Sequence, residues 1–166
     1  TFEHSNSLTL QLPNSLTSSN QQLNLSLQLI LVEESIKMKD KVVLITGGTS
    51  GIGKALAFAF GREGAKVAVS GRNQQNLDQT SQELSAAGID NLAVNADVSV
   101  EEQCQRMVQE TIAKYGRLDV LINNAGISMR ALFEDVDLDV IRKVMDINFW
   151  GTVYSTKYAL PYIKQA

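Results

Sequence analysis

From Lys41 onward the chain alternates short apolar runs with stretches whose apolar residues recur at helical spacing, and this alternation limits the fold more than any other feature. VVLIT (42–46), KVAVS (66–70), NLAVNAD (91–97) and DVLINN (119–124) read as strands. After the first, Ile52, Ala55, Leu56, Ala59 and Phe60 share a helical stripe; after the second, Leu77, Ser81, Leu84 and Ala87 do. After the third comes a stripe of Val100, Cys104, Met107, Val108, Thr111 and Ile112, opened by what reads as a Ser99–Glu102 capping box. Gly64, Gly88 and Gly116 stand where these helices should stop. A long helical pattern runs from about Leu138 to the end, with Ile141, Met145, Asn148, Thr152, Ser155 and Ala159 on one stripe. Strands separated by helices call for crossover connections, so the chain is predicted to be α/β, with a parallel sheet covered by helices.

A length of 166 residues with 44% hydrophobic content supplies one core. A net charge of −3 gives no broad basic surface for nucleic acid or an anionic membrane. Cys104 and His4 are the sole residues of their types, which leaves no disulfide framework or Cys/His zinc site, and a reducing, cytoplasmic setting is expected. Cys104 reads as a buried small hydrophobe. Asp135, Asp137 and Asp139 read as complements to a helix amino terminus, so no metal site is expected. Composition shifts near residue 38: residues 1–37 are dominated by Leu, Ser, Asn and Gln and are expected to form a low-complexity tail ahead of a natural start at Met38, with residues 38–166 as one domain. No continuous apolar segment of membrane-spanning or signal length is seen there.

The first strand runs into ITGGTSGIGK (45–54), a glycine-rich turn that opens a helix. Backbone N–H groups at a helix amino terminus favour phosphate, and glycines let the phosphate come close. Gly47 permits the sharp exit from the strand, Gly51 removes a side chain where phosphate must approach, and Gly53 allows close packing of the helix. A rival reading is a P-loop, since Gly48 to Lys54 fits G-x-x-x-x-G-K; the next position should be Ser or Thr for magnesium and is Ala55.

Thr46-Gly47 with Gly51-Ile52-Gly53, Asp97-Val98, and Asn123-Asn124-Ala125-Gly126 occur in this order, and together they resemble the TGxxxGIG loop, adenine-contacting acid and NNAG signature of the short-chain dehydrogenase/reductase family. The resemblance covers about residues 39–166. It implies a doubly wound parallel sheet, the Rossmann fold, incomplete at its carboxyl side, and hydride transfer between NAD(H) or NADP(H) and an alcohol or carbonyl. The cofactor positions it implies are Gly47, Thr49, Ser50, Gly51, Ile52 and Gly53 in the loop and Arg72 and Asn73 after the second strand. Asp97 and Val98 follow the third strand, and Asn124, Ala125 and Gly126 the fourth. Ser70-Gly71-Arg72-Asn73 offers no carboxylate for the ribose of NAD but a forked cation for a 2′-phosphate, so NADP(H) is expected to be preferred, with NAD(H) possible and Ser50 assisting.

The resemblance makes Asn148, in DINFWG (146–151), the catalytic candidate, holding a water in a proton relay. The family's Tyr-x-x-x-Lys pair is absent: Tyr154 and Lys157 are three apart and read as a helix face. The chain is therefore expected to be the cofactor-binding, N-terminal portion of a reductase, inactive by itself, from a parent that forms homo-oligomers. A non-catalytic dinucleotide-binding or redox-sensing module is the alternative. Met129, Leu132 and Phe133 could wall part of a substrate site or pack on the last helix.

Overall fold

The computed structural model describes residues 38–166; the expected tail of residues 1–37 lies outside the described residues. The elements follow in chain order: β1 (Val42–Ile45), α1 (Gly51–Arg62), β2 (Lys66–Gly71), α2 (Gln74–Ala86), β3 (Asn91–Asn95), α3 (Glu101–Tyr115) and β4 (Val120–Ile122). A single turn at Phe133–Asp135 precedes α4 (Leu138–Met145), a π-helical segment (Asp146–Trp150) and α5 (Gly151–Ile163), which run on without a break. The strands form one parallel sheet in the order β3-β2-β1-β4, with Val43 level with Val67 on one side and Val120 on the other.

Side chains alternate across the sheet, and each face has its own core. Val43, Ile45, Val67 and Val69 pack with Ala57 of α1 and Leu77 and Leu84 of α2. Val42, Leu44 and Ala68 face the other way, onto Met107 and Val108 of α3 and Ala159 of α5. Burying β1 on both faces explains its unbroken apolar run. The opposite, amino-terminal rim is pinned by Asp119, which accepts from the Val42 N–H (2.9 Å) and from Lys41 Nζ (2.8 Å) and is gripped by Arg117. Burial raises its pKa, but these donors outweigh it and hold the carboxyl at about 2.

Three local readings are corrected. On α1 the buried residues are Gly53 and Ala57, whereas Ile52 is 75% exposed and Ala55 and Ala59 face solvent. Close approach to the sheet selects the smallest side chains, and the larger Leu56 and Phe60 flank the contact. The Ser99–Glu102 box does not form: Val100 is the cap residue, and Ser99 turns back to Asp97, giving it both its hydroxyl (2.7 Å) and its N–H (3.0 Å). Along the last helix the buried row is Ile147, Gly151, Ser155 and Ala159, with Met145, Asn148 and Thr152 exposed. The wider turn of the π segment breaks the 3.6-residue phase on which the expected stripe depended.

Candidate functional site

Four parallel strands place the loops after their carboxyl ends on one rim, and two of these loops are sewn together. Thr46, 2% exposed at the exit of β1, accepts from the N–H groups of Asn124 and Ala125 through Oγ1, each at 3.0 Å. In return Asn124 Nδ2 donates to the oxygens of Thr46 (3.0 Å) and Gly47 (3.1 Å). Gly47 sits at φ +65°, and a Cβ there would stand 2.9 Å from Ala125 Cα. At Gly53 a Cβ would land on the Gly47 oxygen and on Asn124 Nδ2. Gly51, at φ +52°, has open space where its side chain would be. The amino end of α1 therefore faces a space that the missing side chain of Gly51 leaves open.

That space is one end of a cleft of about 610 Å³. Of the sequence-predicted residues, Gly47, Thr49, Ser50, Gly51 and Ile52 line it from the first loop, Arg72 and Asn73 from the second. Asp97 and Val98 line it from the third loop, and Asn124, Ala125 and Gly126 from the fourth. Gly53 lies behind the wall. Asn73 also caps α2 by accepting from the Asn76 N–H at 2.9 Å. Asn148 is an exposed residue outside the lining, and both ends of its amide engage Ile127: Oδ1 accepts from the N–H (2.9 Å) and Nδ2 donates to the oxygen (2.8 Å). It thereby holds the loop that carries Gly126.

Arg72 and Asp97 are the ionisable side chains on the wall among the described residues, and they face each other, with Arg72 Nη1 3.7 Å from Asp97 Oδ2. Partial burial pushes the Asp97 carboxyl up, but the Ser99 hydroxyl and N–H, with Arg72 beside them, hold it below the usual carboxylate range. The Arg72 oxygen accepts from Asn95 Nδ2 at 3.2 Å, which ties the turn after β2 to the end of β3.

Sequence reasoning missed Gly71, Ala96, Ile127 and Ile147 in the lining and the clamp made by Thr46. Small residues at strand ends were the signal for Gly71 and Ala96; the buried hydroxyl closing an apolar run was the signal for Thr46. Ile127 and Ile147 reach the cleft through tertiary packing that no local pattern reveals. Lys54, the lysine of the P-loop reading, lies outside the cleft lining and pairs with Glu83 on α2 at 2.6 Å. Tyr154 and Lys157 lie on a helix face as expected: Tyr154 stacks on Trp150, and Lys157 bonds Glu101 of α3 at 2.8 Å. Asp137 caps α4 through the Asp139 N–H. Met129, Leu132 and Phe133 are exposed rather than packed on the last helix. Among the described residues no acidic, His or Cys group is arranged for a metal, and no helix is long and apolar enough to cross a membrane.

A parallel sheet with a glycine-lined cleft at its carboxyl rim, beside the amino end of the first helix, defines the doubly wound α/β class. Residues 41–166 match the family model described as short chain dehydrogenase. The chain is similar to 11-beta-hydroxysteroid dehydrogenase 1A of Arabidopsis thaliana, at 44% identity over 128 residues, covering 76% of this chain and 37% of that protein. It is 42% identical over 135 residues to 11-beta-hydroxysteroid dehydrogenase-like 4A of the same plant, covering 80% and 45%. A solved mutant of a Serratia marcescens short-chain dehydrogenase/reductase superposes with a TM-score of 0.73 at 27% identity, over 76% of this chain and 52% of that one. The chain belongs to the short-chain dehydrogenase/reductase family, whose members are oxidoreductases using NAD(P)(H). It spans less than half the length of these curated relatives.

Proposed function

We propose that this chain carries the NADP(H)-binding part of an oxidoreductase acting on an alcohol or carbonyl. The observation that carries the reading is the cleft itself: glycine space at the amino end of α1, and Arg72 as the cation on a wall where β2 ends in Gly71 rather than an acid. The residues present fit a dinucleotide. Gly51 leaves room for phosphates against backbone N–H groups, Gly47 lines the same end and Gly53 lets the helix pack close behind it, with Thr49, Ser50 and Ile52 completing that end. Asp97 and Val98 would border the adenine, Arg72 and Asn73 the ribose 2′-position, and Asn124, Ala125 and Gly126 the nicotinamide half. When bound, the cofactor would supply or accept the hydride. What the chain itself contributes is binding and orientation, with Asn148 bracing the Ile127 loop beside the nicotinamide end.

A hydride transfer also needs a positioned proton donor or acceptor, and no tyrosine in these 166 residues is followed four places later by lysine. The chain expressed alone is therefore expected to bind cofactor without turning substrate over. The names of the plant relatives suggest a hydroxyl or ketone on an apolar skeleton as substrate. A cytoplasmic, homo-oligomeric parent is the accompanying proposal.

Arg72→Asp tests the cofactor assignment, because it removes the cation from a 2′-phosphate and supplies a carboxylate to a free ribose. Titration followed by nicotinamide fluorescence should show NADP(H) affinity falling on the order of tenfold and NAD(H) gaining in relative terms. Unchanged relative affinities would dismiss Arg72 as the selector.

A further inference from the structure

Asp97 faces the cleft as part of a small charged device. One carboxylate oxygen, Oδ1, is filled by the Ser99 hydroxyl at 2.7 Å and the Ser99 N–H at 3.0 Å. Gln103 Oε1 accepts from the Asp97 N–H at 2.8 Å, so the residue is fixed at both backbone and side chain. The other oxygen, Oδ2, is the one that lies 3.7 Å from the Arg72 guanidinium. Arg72 has no comparable anchor: its side chain is 55% exposed, against 30% for Asp97. The Asn95 side-chain amide holds the Arg72 backbone oxygen and does not engage the guanidinium.

We propose that Asp97 is a built-in counter-charge that engages Arg72 in the absence of a 2′-phosphate and so limits the discrimination of NADP(H) over NAD(H). The inference rests on the NADP(H) reading given above. Its physical basis is competition. Binding a 2′-phosphate to Arg72 draws a dianion towards the fixed Asp97 carboxylate, and the phosphate must replace or share the existing ion pair. NAD(H), with a free 2′-hydroxyl, meets neither cost. Since the pair is partly exposed, its contribution is that of a screened surface ion pair, and its removal is worth about two- to fivefold in affinity. Any bond from Asp97 to the adenine is common to both cofactors and cancels in the ratio of their dissociation constants. Ser99 matters because it fixes the carboxylate in place: a mobile acid could swing away from the phosphate, whereas this one stays.

The test is Asp97→Asn, which removes the charge while keeping an oxygen for the Ser99 bonds. Dissociation constants for NADPH and NADH are measured by nicotinamide fluorescence, at low and at moderate salt, in the unmutated protein and the variant. The NADH-to-NADPH ratio of dissociation constants should rise about two- to fivefold at low salt and less at moderate salt. In an Arg72→Ala background, Asp97→Asn should change the ratio less, since the pair is already broken and only the repulsion between the carboxylate and the phosphate remains. Asp97→Ser, which also removes the charge and retains a short acceptor, should shift the ratio in the same direction and covers the case in which the Asn variant folds poorly. A ratio that stays constant or falls overturns the counter-charge role and leaves the cofactor assignment standing. If the unmutated protein binds neither cofactor, the assignment itself fails and this inference with it.

Discussion

Gly53 and Gly51 lie two residues apart on the same loop and are glycine for different reasons. A Cβ at Gly53 would collide with backbone at Gly47 and with the Asn124 amide that sews the rim together, while a Cβ at Gly51 would meet nothing. Gly53→Ala is therefore expected to cost about 1–3 kcal/mol in urea unfolding, and Gly51→Ala only the left-handed penalty of about 1 kcal/mol. Equal losses at the two positions would contradict the packing described here. Asp119 gives a pH test. Its folded pKa of about 2 lies below the usual 3.8, so its contribution is full above pH 4 and disappears as pH falls through 2. Because Lys41 and Arg117 are partly exposed, the contribution is about 1–2 kcal/mol. Asp119→Asn should lower stability by that amount at pH 7 and by almost nothing near pH 2. The glycines were legible in the sequence because their spacing states a backbone need. The Thr46 clamp, the Asp119 grip and the Arg72–Asp97 pair were not, since each joins residues on different strands or loops.

At the scale of elements, the start of α5 is held against the loop after β3. A Cβ on Gly151 would stand 2.7 Å from Val98 Cγ2 and 3.2 Å from the Val98 oxygen. Val98 lines the cleft, so pushing α5 away from it should loosen cofactor binding as well as the fold. Gly151→Ala is expected to lower stability by about 1–3 kcal/mol and weaken NADPH severalfold, measured by thermal unfolding and fluorescence titration. A fully stable variant would show that the helix shifts at no cost. Asn148→Ala would leave the Ile127 N–H without its 2.9 Å acceptor, and hydrogen exchange at that amide should speed up markedly. The order and type of the elements were readable because apolar period and glycine stops agree with the fold. Which face each helix buries was less so: α1 is chosen by side-chain volume at a close contact, and the last helix changes phase at Asp146–Trp150.

At the scale of the whole molecule, β4 is an edge strand of three half-buried residues among the described strands, and Phe149, Trp150, Val153 and Leu160 stand exposed along the last helix. Unpaired strand groups and apolar surface of this kind favour association between copies. The 166-residue chain expressed alone is thus expected to self-associate in light scattering and to show no turnover with carbonyls or alcohols; a soluble monomer with robust turnover would contradict both points. The central claim is that the cleft at the carboxyl rim holds NADP(H), and direct titration of the purified chain with NADPH and NADH tests it most simply. Saturable binding of both, tighter for NADPH, is the expected result. No binding of either, or tighter binding of NADH, would contradict it.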